Sequence, residues 1–226
     1  MNHPSIPIRR KPSPPAALRR LALGLALFTA ADARPEPSPA ILAELQAALA
    51  GTTNVQCDFI QEKQLALLQQ KVSIRGRMAV QQPDRFAWQV EEPVRYRLVV
   101  EGTRLRQWDE AAGKVQQTSL AGNPVFEVVV GQLRAWFTGQ LTTLAKDFQA
   151  EPLPAPTPQV EFRPRPESFA ARAVRRIVLF FREDRRYLER MTIEDAGGDR
   201  TVMTFTNTVL NSAIDPRIWE VEPRDP

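Results

Sequence analysis

The sequence predicts a mainly β protein with helices, an α+β fold built on one large antiparallel sheet that is wet on one face and covered by helices on the other. Three observations predict it. Apolar residues recur at helical spacing in two main places, around residues 39–51 and 123–139, and with period two through most of the rest of the chain after residue 54. Short segments with turn chemistry separate the period-two runs, which makes sequential strands antiparallel neighbours. Alternate strand positions are charged or polar, as a half-solvated sheet requires.

The first element is a helix. Ser38 offers a hydroxyl as N-cap, Pro39 suits the first helical position, and Ile41, Leu42, Leu45, Ala48 and Leu49 keep helical spacing up to Gly51, which can cap the end. Strands follow at Val55, Cys57 and Phe59, then at Val72, Ile74, Gly76, Met78 and Val80, then at Phe86, Trp88 and Val90, and then at Tyr96, Leu98 and Val100. Pro83-Asp84, Glu92-Pro93, Glu101-Gly102 and Ala112-Gly113 supply the turns. Arg75, Arg77, Gln89, Glu91, Arg95 and Arg97 are the outward positions, all expected in water.

A second helix opens with Asn123 and Pro124. Its stripe of Phe126, Val129, Val130, Leu133, Trp136 and Phe137 is placed to cover the apolar face, and it ends near Thr138-Gly139. Residues 141–145 read as one further helical turn or two. Between residues 148 and 167 prolines are dense, which predicts a loop with at most one edge strand around residues 160–163. Period two returns at Ile177, Leu179 and Phe181, at Tyr187, Met191 and Ile193, and at Thr201, Met203 and Phe205, with turns at Glu183-Asp184 and Gly197-Gly198. About ten strands and two main helices result.

With 226 residues, 43% hydrophobic and 25% charged, the chain has the composition of a globular domain or a small pair. Its formal charge of +4 is carried by the first 33 residues, where Arg9, Arg10, Lys11, Arg19 and Arg20 face only Asp32; the remainder holds 25 basic and 25 acidic groups. That leader has a basic start, an apolar run at residues 21–31 and an Ala31-Asp32-Ala33 ending. It reads as a cleavable secretory signal, since the run is about half the ~20 residues of a membrane span. The expected organisation is a signal at 1–33, a Pro-rich linker at 34–40 and a single domain at 41–226, exported from the cytoplasm.

The domain so defined holds no histidine, because His3 lies in the leader, and one thiol, Cys57. Ser-His-Asp and Cys-His machinery and ordinary His/Cys zinc sites are excluded by composition. Cys57 is too far past the leader to be a lipidated N-terminal cysteine, and its alternation with Val55 and Phe59 makes it a buried small hydrophobe. The carboxylate pairs Glu91-Glu92, Asp109-Glu110 and Glu183-Asp184 are the remaining acid–base candidates, but they lie at predicted turns and read as solvated acids. The arginines at 163, 165, 172, 175, 176, 182, 185 and 186 read as a solvated strand face or a docking surface for an acidic partner, with export arguing against nucleic acid. No enzyme activity, cofactor or metal is expected.

An apolar sheet face under helices can be buried outright or can leave a hollow for a greasy ligand. Bulky aromatics and flexible Met at Met78, Phe86, Trp88, Phe126, Trp136, Met203 and Phe205 suit an adaptable acyl-binding surface, and equally an ordinary aromatic core. Here the order of motifs becomes informative. Phe59-x-Gln61, Gly76, Pro83-Asp84-Arg85-Phe86-Ala87-Trp88, Pro93, Gly102, Trp108-Asp109 and Gly122-Asn123-Pro124-Val125-Phe126 follow one another, with Asp195, the segment 201–205 and Asn207 further on. This ordered set, over about residues 41–219, resembles the LolA-like periplasmic lipoprotein carriers.

The resemblance implies an unclosed antiparallel barrel of ten or eleven strands with helices as a lid over an apolar cavity. It implies a monomeric, non-catalytic carrier that takes the acyl chains of lipoproteins from an inner-membrane release complex to an outer-membrane acceptor. Met78, Phe86, Trp88, Leu98, Phe126, Val130, Leu133, Trp136, Met203 and Phe205 are the expected cavity residues. Where the family commonly has an Arg before the strand-opening proline, bonded to the lid, this chain has Gln82, and its ending lacks the usual double proline. Carriage of another amphiphile, a glycolipid or a lipid-linked pigment, and a non-catalytic lipoprotein-sensing role are the alternatives.

Overall fold

The computed structural model describes residues 39–66, 70–120 and 124–222, with side chains described for somewhat fewer of them. The leader and most of the linker lie outside the described residues, as do Ser38 and Asn123. Helix α1 runs Pro39–Leu49. Strands β1 (Asn54–Leu65), β2 (Gln70–Gln81), β3 (Arg85–Glu92), β4 (Tyr96–Glu101), β5 (Arg104–Asp109) and β6 (Val115–Ser119) precede helix α2 (Pro124–Thr138). After a short 3-10 helix at Leu141–Lys146 come β7 (Phe148–Pro152), β8 (Gln159–Pro164), β9 (Val174–Phe181), β10 (Leu188–Asp195) and β11 (Arg200–Leu210).

The eleven described strands form one antiparallel sheet in the order β6-β5-β4-β3-β2-β1-β11-β10-β9-β8-β7. The connectivity explains where α2 must lie. The chain meanders outward from β1 to one free edge at β6 and re-enters at the other free edge, β7, so the only segment between them has to cross from edge to edge. That segment is α2 with the 3-10 helix behind it, and its apolar stripe makes the concave side of the sheet the place where it comes to rest.

Register then sets the concave lining. Trp88 pairs with Met78 on one side and Leu98 on the other, Phe86 with Val80 and Val100, and Phe59 with Gly76 and Phe205. Gly76 is required here by close approach: a Cβ built on it would stand 1.9 Å from the Gln89 carbonyl oxygen and 2.7 Å from Cζ of Phe59. The bare backbone lets the Phe59 ring settle against β2 and stack on Trp88, with centroids 3.9 Å apart.

Two sequence expectations are corrected. The Pro-dense region holds two strands, and Val160–Arg163 belongs to β8, which is flanked by β7 and β9 and is no edge. Phe148 and Ala150 turn inward from β7, while the prolines stand at strand ends or in the loop, where no ladder donor is needed. The convex face is also not uniformly wet. After β11 the chain turns back and lays Ile214, Ile218, Trp219 and Val221 over Ala79, Ala87, Val99 and Trp108. Gln89, expected in water, is 5% exposed and its amide donates to the Ile218 carbonyl at 2.9 Å. Arg85 stacks over the Trp219 ring at 4.1 Å, while Arg85 and Arg106 share Glu101.

Candidate functional site

The concave face of β1–β5 and β11, closed over by α2, is the place where the predicted residues meet. Met78, Phe86, Leu98, Val130, Leu133, Trp136, Met203 and Phe205 are all buried in one cluster, and Trp88 packs half-buried against it. Phe126 lies within α2, but its side chain is outside the described residues. The fold brings these positions together because period-two alternation sends every second side chain of each strand to the same face, and the antiparallel ladders set those strands side by side.

The space that the resemblance reserves for a ligand is occupied here by the protein itself. Val130, Leu133, Trp136 and Phe137 of α2 descend into the concavity, and Phe137 meets Phe205 edge-on, with centroids 5.0 Å apart and planes at 88°. Phe59, Val80, Val100 and Leu105 join the lining; the first three lie in the period-two runs of the sequence, and Leu105 on β5 was not read from it. An open cleft of about 470 Å³ remains at the seam between α2 and the sheet rim, bordered by Val80, Gln82, Pro83, Arg134, Thr138 and Leu144. A second groove of about 630 Å³, polar in lining, lies under the C-terminal arm and does not belong to this chamber.

The contact between helix and rim is not made as expected. The Gln82 side chain turns toward the α1–β1 connection, donating to the Thr52 carbonyl at 2.6 Å. The tie to α2 comes from the opposite partner: the Arg134 guanidinium donates to the backbone carbonyl of Asp84, in the turn that follows Pro83. The amide of Gln82 is spent on Thr52, and an arginine on α2 makes the tie. Arg134 is half-buried, and burial lowers its proton affinity against the partial support of the Asp84 carboxylate. Its Nε is buried without a partner. The helix is thus held at this point by one hydrogen bond from a cation that also loses hydration, which makes the fastening weak. The sequence signal was that Arg134 is the one basic residue in α2.

Two further polar groups lie in the apolar interior. Cys57 is 5% exposed, and burial, with help from the neighbouring Asp58 charge, pushes its thiol well above the ordinary range, so it is an unreactive packing residue. Trp136 is 3% exposed and its indole Nε1 has no hydrogen-bond partner. The carboxylate pairs are dispersed on the surface. Glu91 is held by Arg77, Glu92 by Arg75, Glu110 by Arg95 and Asp184 by Arg182. Of the arginine-rich stretch, Arg163 and Arg176 close on the buried Glu161, and Arg176 reaches on to Glu194, so part of that basic bias is structural.

A lidded concavity in an unclosed sheet is the geometry on which the family comparison bears. The model of the outer membrane lipoprotein carrier protein LolA matches residues 50–222. The chain belongs to the LolA family. Among solved structures, a LolA superfamily protein from Nitrosomonas europaea is similar over 80% of this chain and 97% of its own, at 11% identity and a TM-score of 0.43. Lipoprotein LppX of Mycobacterium tuberculosis is similar over 79% and 98%, at 18% identity and a TM-score of 0.46. The MucA/MucB complex of Pseudomonas aeruginosa contains a chain similar over 80% of this one and 59% of its own, at 13% identity and a TM-score of 0.47. A search of the curated proteins finds no match.

Proposed function

We propose that this LolA-family chain is a periplasmic carrier that takes up the acyl chains of lipoproteins under α2 and hands them from an inner-membrane release complex to an outer-membrane acceptor. The observation that carries the reading is that the apolar concavity is filled by a helix which, among the described residues, is tied to the rim by the Arg134–Asp84 hydrogen bond, an arrangement that suits a plug able to lift. It needs no cofactor and no bond-making chemistry.

The magnitudes agree with reversible loading. Burial of Val130, Leu133, Trp136 and Phe137 is worth about 1.5–3 kcal/mol each, so undocking this face costs roughly 6–12 kcal/mol. Removing one 16-carbon acyl chain from water returns about 12 kcal/mol. The acyl gain exceeds the helix cost by about 0–6 kcal/mol, so an acyl chain can take the place of the helix against the sheet without being trapped, and release to a stronger acceptor stays possible. A tighter chamber would load well and never unload.

The test is complex formation with a triacylated lipopeptide, read by native mass spectrometry after gel filtration. The wild-type chain is expected to carry one lipopeptide. Phe86→Glu places a charge in the buried lining and is expected to lose at least tenfold in loading, with circular dichroism reporting whether the sheet persists. Full loading of a folded Phe86→Glu variant contradicts the assignment of the concave face.

A further inference from the structure

We propose that the Trp136 indole N–H is the donor that recognises the carbonyl of an ester- or amide-linked acyl chain, making this carrier selective for acyl groups over plain hydrocarbon. The inference rests on the carrier reading and names the chemistry of the ligand at that same site. Buried tryptophan N–H groups ordinarily find an acceptor, because an unpaired donor in an apolar interior forfeits its hydration with nothing in return. Trp136 does not: its Nε1 is fully shielded and unpartnered, on the very helix that fills the concavity.

Its surroundings explain why. The buried cluster to which Trp136 belongs is built of Met, Phe, Leu, Val, Ile and Ala with the Cys57 thiol, and none of these side chains offers a strong acceptor. A phenylalanine would fill such a place without the penalty. Among the described residues of the cluster, the closed form therefore holds an unspent donor in oily surroundings, and the ligand that complements it is apolar except for an acceptor. An acyl ester or amide has that composition. A polyene or alkane lacks the acceptor, and a phosphate or sugar headgroup brings too many polar atoms into the cluster. Of the other shielded polar atoms without partners, the arginine nitrogens of Arg85, Arg134, Arg176 and Arg185 belong to guanidinium groups that bond or pair through their remaining nitrogens, and Gln46, Ser168 and Thr208 are not members of the apolar cluster.

The experiment uses two single-chain lipids below their micelle concentration, tetradecanoyl lysophosphatidylcholine and its tetradecyl ether counterpart, which differ at the carbonyl. The full chain is titrated with each. The ester is expected to bind about five- to tenfold more tightly, the worth of one hydrogen bond to a buried donor. In Trp136→Phe that preference is expected to fall below about twofold, whatever change in affinity the two lipids share. A preference that survives in Trp136→Phe, or equal binding by the wild type, overturns the inference and leaves the carrier reading intact. Binding of neither lipid by the wild type overturns both. If Trp136→Phe does not fold, the wild type supplies a second readout. The chain has four tryptophans, and single replacement of Trp88, Trp108 and Trp219 assigns the Trp136 indole resonance by elimination. That resonance is expected to move downfield with the ester and not with the ether, and an unmoved resonance counts against the proposal.

Discussion

Gly76 shows how much a single side chain decides in this fold. The Phe59–Trp88 stack exists because β2 has no Cβ at this register position, and the space is bounded on the far side by the Gln89 backbone, which cannot rotate away. Gly76→Ala is therefore expected to cost about 3 kcal/mol, seen as a melting temperature lowered by roughly 6–12 °C. A change of less than a degree would mean that β2 and β3 slide apart more easily than their pairing implies. Residue-scale legibility follows the same logic. Met78, Phe86, Trp88 and Met203 were readable from the sequence because strand parity alone assigns them a face. The donor on Trp136 and the Arg134 contact were not, because whether a polar atom finds a partner depends on distances between elements remote in sequence.

At the scale of elements, α2 and the C-terminal arm clasp the sheet from opposite sides with different fastenings. The arm is bound by an apolar patch, a cation–π contact and the Gln89, Arg97 and Arg106 bonds to its backbone carbonyls. Helix α2 has an apolar face and, at the rim, the Arg134 bond to Asp84. Arg134→Ala is expected to weaken the closed form by about 1 kcal/mol, given that the guanidinium is only half-buried. Two readouts should then move in opposite senses: the melting temperature falls by a few degrees, and affinity for an acyl probe rises about fivefold. Loss of both would show that Arg134 supports the fold and does not restrain the lid. Both helices and strands β1–β4 and β9–β11 were legible from period and turn chemistry. The arm was not, since Ile214, Ile218, Trp219 and Val221 form a short run between prolines and acquire a partner only once the convex face exists. Strand β7 was hidden by the prolines around it, which mark its boundaries and do not interrupt its ladder.

For the molecule as a whole, topology makes the lid. A sheet whose two meanders end at opposite free edges must send a connection across its mouth, and the order of motifs from Phe59 to Asn207 carried that arrangement in the sequence before any contact was known. What no pattern in the sequence reveals is the state of the chamber, because a helix that plugs a cavity and a helix that completes a core have the same apolar stripe. On the proposed reading, helix burial and acyl burial are of similar size, so the distinction lies in motion and not in composition. The most direct measurement is the distance between spin labels on α2 and on the sheet, introduced as Gln132→Cys and Arg104→Cys in a Cys57→Ala background, and read by pulsed electron resonance with and without a triacylated lipopeptide. The account predicts one short distance in the empty protein and a longer population that grows with lipopeptide up to equimolar loading. An unchanged distance in a chain that has demonstrably bound the lipopeptide would contradict it, because the ligand would then lie somewhere other than beneath the helix.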